Sequence, residues 1–214
     1  MDFIISIKNH LLDTTTSWCE TSLPGSFILE PLNSFSSLIY VFASLFVTRP
    51  YDRKISSSLF YVGVGSFLFH ARQNFFFQLL DEGSMIYLVN NLIRIYSKEN
   101  FYSILNFYSS HFFCLYVITK SYFIFLLLFT SNIFILLYYI FKQEWKKDSK
   151  KWVVSSFSSL IFGKILWDIE RNFCFLNKNL FILHSFWHFL SCASVFFLVK
   201  FNDSLFQKIK KLNK

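Results

Sequence analysis

His184 and His188 stand four residues apart, and so do Ser66 and His70. On a helix that spacing brings two side chains onto one face, so His184 and His188 can ligate one ion together. Three neutral imidazoles plus a water form a common catalytic zinc shell, and His70 supplies the third. The chemistry implied is the binding of a metal ion, with Ser66, one turn from His70, and Asp81 as further polar residues beside the set. His10 and His111 do not join this set: His10 lies near the N-terminus and His111 stands alone in an apolar stretch, where a packing role is the plainer reading. Ser66 taken alone would be a small helix-packing residue. Lys164 and Asp168 are i,i+4 partners, which reads as a structural ion pair.

The elements that must position these residues are membrane helices. The chain of 214 residues is 54% hydrophobic, 22% aromatic and only 16% charged, with a mean hydropathy of +0.42. A soluble domain of this size carries more surface charge and exposes fewer large apolar side chains. Apolar stretches of about 17–25 residues are candidate spans. They fall at 28–48, 55–71, 75–95, 101–119, 121–141, 152–168 and 179–200. None shows the alternation of barrel strands. The reading is an all-α integral membrane protein with a seven-helix bundle at 28–200, preceded by an outer segment at 1–27 and followed by a basic tail at 201–214. The fourth and fifth stretches are nearly continuous, so six spans stays open.

With an outer N-terminus, the inner loops and tail hold fifteen Lys and Arg residues against five outside, with Lys164 inside a span. The positive-inside rule therefore places the N-terminus in the lumen or outside the cell and the C-terminus in the cytosol. The net charge of +8 belongs to these loops, and no nucleic-acid-binding motif accompanies it. The first residues lack the features of a cleaved signal peptide. In this topology Glu30, Ser66, His70, Asp81, Glu82, Asp168, Glu170, His184 and His188 all lie in the outer half of the bundle. Ionisable groups at membrane depth are costly and mark functional sites. Cys19 and Cys174 share the outer side, either as a disulfide or as two free thiols.

Seven blocks of residues then carry a resemblance. They are Trp18-Cys19-Glu20, Glu30-Pro31-Leu32-Asn33, Gly65-Ser66-Phe67-Leu68-Phe69-His70, Leu80-Asp81-Glu82, Trp167-Asp168-Ile169-Glu170, Phe173-Cys174 and His184-Ser185-Phe186-Trp187-His188. In this order and spacing they resemble the alkaline ceramidase family, relatives of the progestin and adiponectin receptors, over roughly residues 14–200. The resemblance implies a seven-helix intramembrane amidase acting on ceramide, with catalytic zinc on His70, His184 and His188 and with Ser66 and Asp81 assisting. It implies a disulfide between Cys19 and Cys174. It also implies a calcium site from the Trp18 carbonyl, Glu20 and Glu30, weakened because Ser17 and Ser22 stand where the family has Asp and Asn. Calcium prefers six to eight oxygens, including several carboxylates. In a eukaryotic cell the resemblance points to the endoplasmic reticulum or Golgi membrane. A receptor-like zinc protein and a lipid esterase of the same superfamily are the alternatives; the Trp-Cys-Glu run and the cysteine pair favour the ceramidase branch.

Overall fold

The computed structural model describes residues 12–13, 18–21, 25–47, 53–143 and 149–212, with side chains as far as 205. Seven α-helices run through them: α1 Pro31–Phe46, α2 Arg53–Arg72, α3 Phe75–Tyr96, α4 Glu99–Thr119, α5 Tyr122–Phe141, α6 Lys150–Phe173 and α7 Ile182–Leu212. They coincide in position with the seven expected stretches. Lys120 separates α4 from α5 by taking a left-handed backbone, φ 53°, while its N–H still bonds the Tyr116 carbonyl. Pro31 opens α1, where a proline's missing N–H costs nothing. Asn74 caps α3 by accepting the Phe77 N–H at 3.0 Å. Only Gln73 and Asn74 connect α2 to α3, so the end of one helix is bound to the start of the next.

The helices gather many of their polar residues inside, among a buried apolar core, and turn many large apolar side chains outward. On α1 the buried stripe is Asn33, Ser34, Ser36, Ser37, Tyr40 and Ser44. Phe42 is 58% exposed and Phe46 78%. Around α5, Phe123, Phe134, Tyr138 and Phe141 also face out. Water would penalise that exterior; lipid does not. Among the described residues three stretches are long and apolar enough on their own to cross a membrane: Tyr122–Phe141, Lys150–Phe173 and Lys178–Leu205. The others are diluted by their inward polar residues, as in α3 with Asp81, Glu82, Asn90 and Asn91.

Helix association in lipid draws on close packing rather than on the hydrophobic effect. The tightest neighbours are α1 with α2, α2 with α3, and α6 with α7, while α7 closes back onto α1. α3, α4 and α5 complete the bundle on the other side. Among the described residues α5 and α6 do not pack closely, and a cleft lined by Phe129, Ile133, Leu160, Ile165 and Trp187 lies between them.

Gly65 sets the α2–α3 approach. A Cβ there would meet the Leu80 backbone carbonyl at 2.9 Å and the Asp81 backbone nitrogen at 3.0 Å. Backbone cannot step aside as a flexible side chain would. Gly65→Ala should therefore cost about 1–3 kcal/mol, the usual penalty of overpacking. It should also push Asp81 away from Ser66, so thermal unfolding in detergent should fall together with any activity. An unchanged melting temperature would show that this contact is looser than drawn.

Candidate metal centre

His70 ends α2, while His184 and His188 occupy the first turns of α7. Each offers a ring nitrogen, and the three atoms lie within 4.8 Å of one another. All three side chains are buried, at 1%, 3% and 2% exposure. Among the described residues they form the group of three or more His, Cys, Asp or Glu side chains that converges on one point. His70 Nε2 and His184 Nδ1 are buried and have no hydrogen-bond partner. A buried imidazole nitrogen left without a partner is costly, and a cation at the centre of the triad removes that cost. The donor set thus fits a metal ion, and all-imidazole donors suit zinc among the common ones.

Partners on the far side of each ring set the tautomers. His70 Nδ1 lies 2.5 Å from Glu30 Oε2, which accepts its proton and leaves Nε2 with a lone pair. The Ser36 hydroxyl donates to the Asn33 carbonyl at 3.1 Å, so it accepts from His188 Nδ1 at 2.8 Å and frees His188 Nε2. Glu30 is itself held by Asn33 Nδ2 at 3.4 Å and by Gln73 Nε2. Its backbone N–H bonds the His70 carbonyl at 3.0 Å. Neither the Glu30–His70 bond nor the role of Ser36 was foreseen from the sequence. The available signal was the polar stripe at helical spacing on an otherwise apolar α1. Outer partners of metal ligands are worth about 10–100-fold in metal affinity. Glu30→Gln should keep the fold and lower zinc affinity by about that factor. Competition with a chelator measures it, and unchanged affinity would remove Glu30 from this role.

Ser66 and Asp81 meet beside the triad. The Ser66 hydroxyl faces the Asp81 carboxylate and sits 3.4 Å from His188 Nε2. Both line a chamber shared with Trp18, Tyr40, Glu82, Trp167, His184 and His188. Tyr40, Val62, Met85 and Trp187 are common to this chamber and to an apolar cavity deeper in the bundle. Phe129, Ile133, Leu160 and Trp187 are in turn shared by that cavity and the α5–α6 cleft. The chamber, the apolar cavity and the cleft thus lie side by side, each sharing wall residues with the next.

Trp18 packs over the chamber, its ring centroid 4.0 Å from that of His184. A disulfide between Cys19 and Cys174 fastens this segment to the end of α6, with Cα atoms 5.3 Å apart. The Cys19 N–H also donates to Glu170 Oε1 at 3.1 Å. Glu20 accepts the Leu32 and Asn33 N–H groups at 2.7 and 2.9 Å, where it caps α1. Burial pushes its carboxyl above the usual range, against the pull of those two bonds. Glu20 and Glu30 thus lie near one another with their oxygens already engaged in protein bonds. Ser17 and Ser22 lie outside the described residues, as does His10. His111 is exposed on α4 and its Nδ1 pairs with the Phe107 carbonyl at 2.7 Å, away from the triad. Lys164 and Asp168 form the expected i,i+4 ion pair on α6.

The chain is similar in sequence to known proteins. The Ceramidase family model matches residues 12–213. Alkaline ceramidase 1 of Homo sapiens is 29% identical over 199 residues, covering 81% of this chain and 75% of that protein. Alkaline ceramidase YPC1 of Saccharomyces cerevisiae is 34% identical over 83 residues, 35% of this chain and 26% of the yeast protein.

Proposed function

The chain belongs to the ceramidase family, and on that premise we propose that it is a zinc-dependent membrane amidase cleaving ceramide to a long-chain base and a free fatty acid. The observation that carries this reading is the convergence of three buried histidines, two with unpartnered ring nitrogens, beside Ser66 and Asp81 in one chamber. His70, His184 and His188 would hold the zinc. When bound, the ion lowers the pKa of a water towards about 7 and polarises the scissile carbonyl.

The chain's own residues do the rest. Asp81 takes the proton of the attacking water and later returns it to the leaving nitrogen. The water's oxygen bonds the acyl carbon, the C–N bond breaks, and acid and amine leave as products. Ser66 holds Asp81 in position through its hydroxyl. The lipid enters sideways through the α5–α6 cleft, and its chains occupy the apolar cavity below the chamber. Calcium would bind weakly at the Trp18 carbonyl, Glu20 and Glu30, because Ser17 and Ser22 contribute no charge.

All seven helices are read as spans, with residues 1–27 outside or lumenal and 201–214 cytosolic. In a eukaryotic cell we assign the protein, by its family, to the endoplasmic reticulum or Golgi membrane. A tag at the N-terminus should then be protected in sealed microsomes, and a tag after Lys214 should be digested. Two tags on the same side would mean an even span count and would scatter the site over both faces. The activity is tested directly by release of fatty acid from labelled ceramide by the purified, zinc-loaded protein. Zinc binding without cleavage of ceramide or any related lipid amide would favour a receptor-like role.

A further inference from the structure

The chamber beside the histidines contains hydrogen-bonding atoms that the protein leaves unmatched. Trp18, Trp167 and Glu82 all line it. Both indole nitrogens and Glu82 Oε2 are buried without a partner among the described residues. Buried polar atoms are paired in the great majority of cases, and each exception calls for an explanation. Beyond His184 Nδ1, which faces the metal centre, three exceptions in the wall of one chamber point to something that the chamber binds.

Their chemistry specifies what that is. An indole nitrogen can only donate. Glu82 Oε1 already accepts from Gln78 Nε2 at 2.9 Å, and Tyr116 lies beside the same carboxylate. Gln78 also donates to the Tyr116 oxygen at 3.0 Å. The vacant Oε2 therefore asks for a donor, and the two indoles ask for an acceptor. A secondary amide offers both, an N–H and a carbonyl oxygen, whereas an ester offers only acceptors. Asp81 does not fill this role. Adjacent residues on a helix point about 100° apart, and Asp81 turns to Ser66 while Glu82 turns to Gln78 and Tyr116.

We infer that Glu82 is a specificity residue that reads the N–H of the scissile amide, while the Trp18 and Trp167 indoles read its carbonyl oxygen, so that the site selects lipid amides over lipid esters. The inference rests on the amidase reading and deepens it. Sites built to bond a substrate N–H or O–H reject analogues lacking it far more strongly than apolar pockets reject a methylene.

The test uses full-length zinc-loaded protein and a matched pair of lipids with identical chains, joined by an amide in one and an ester in the other. Glu82→Leu should lower kcat/KM for the amide by about 10–100-fold and affect the ester far less, a contrast that loss of fold cannot produce. Glu82→Gln keeps a neutral acceptor and should recover part of the amide activity. Trp167→Phe removes a donor to the carbonyl and should lower amide and ester alike. Equal loss on both lipids in Glu82→Leu, or no loss on either, would overturn the assignment. A wild type that cleaves neither lipid, or only the ester, would overturn the amidase reading itself before any variant is compared.

Discussion

Replacing His70, His184 or His188 by Ala should strip the protein of most of its metal and abolish hydrolysis, while His111→Ala changes neither. Three imidazoles converging within 4.8 Å make one site, so each removal leaves only two protein ligands. Loss of an outer-shell partner already costs about 10–100-fold in affinity, and loss of a ligand should cost more. His111 is the control because it is a histidine of the same bundle, exposed and bonded to its own helix. Wild-type protein should carry about one zinc per chain by elemental analysis after purification. Gel filtration in detergent separates metal loss from unfolding, since each variant must elute as the wild type does. Equal zinc in all four variants would end the assignment.

The parts of this arrangement that could be read from the sequence are those that depend on one helix at a time. His184 with His188, and Ser66 with His70, follow from helical spacing alone. Helix positions followed from runs of apolar residues, yet the last two helices run further than the runs do. The 152–168 stretch lies within α6, Lys150–Phe173, and α7 continues to Leu212, beyond the expected edge at 200. Hydropathy marks the part of a helix suited to lipid, whereas backbone hydrogen bonding continues through polar residues such as Glu170 and Asn202. The break at Lys120 carries no glycine or proline and shows only as a left-handed residue.

Contacts between helices were less legible. The Ser36–His188 bond joins residues 152 positions apart, and the Glu30–His70 bond joins residues 40 apart. Which serine of the Asn33–Ser37 run faces α7 depends on how α1 is rotated, and the sequence does not state that. Glu30 was expected as a calcium ligand by resemblance; its bond to His70 follows from the pairing of Leu29 and Glu30 with the end of α2.

Asp81→Asn should separate catalysis from metal binding. Asp81 belongs to the N-terminal part of α3, fixed against α2 by the close approach at Gly65, with Ser66 beside it. Asparagine keeps nearly the same shape and can still accept the Ser66 hydroxyl, so the chamber should keep its form. It cannot take a proton from the attacking water. Losing a general base typically lowers turnover by about 10²–10⁴-fold. A carboxylate that merely oriented a ligand would behave differently: its loss would reduce metal content and leave the turnover of the loaded fraction intact. The expected result is therefore normal zinc, retained ceramide binding, and hydrolysis slower by two to four orders of magnitude. Ser66→Ala should also keep its zinc and lose rate by a smaller factor, because Asp81 remains but is no longer held. Turnover of Asp81→Asn at the wild-type rate would mean that the proton goes elsewhere, and Glu82, the other carboxylate in the chamber, would be the next residue to replace.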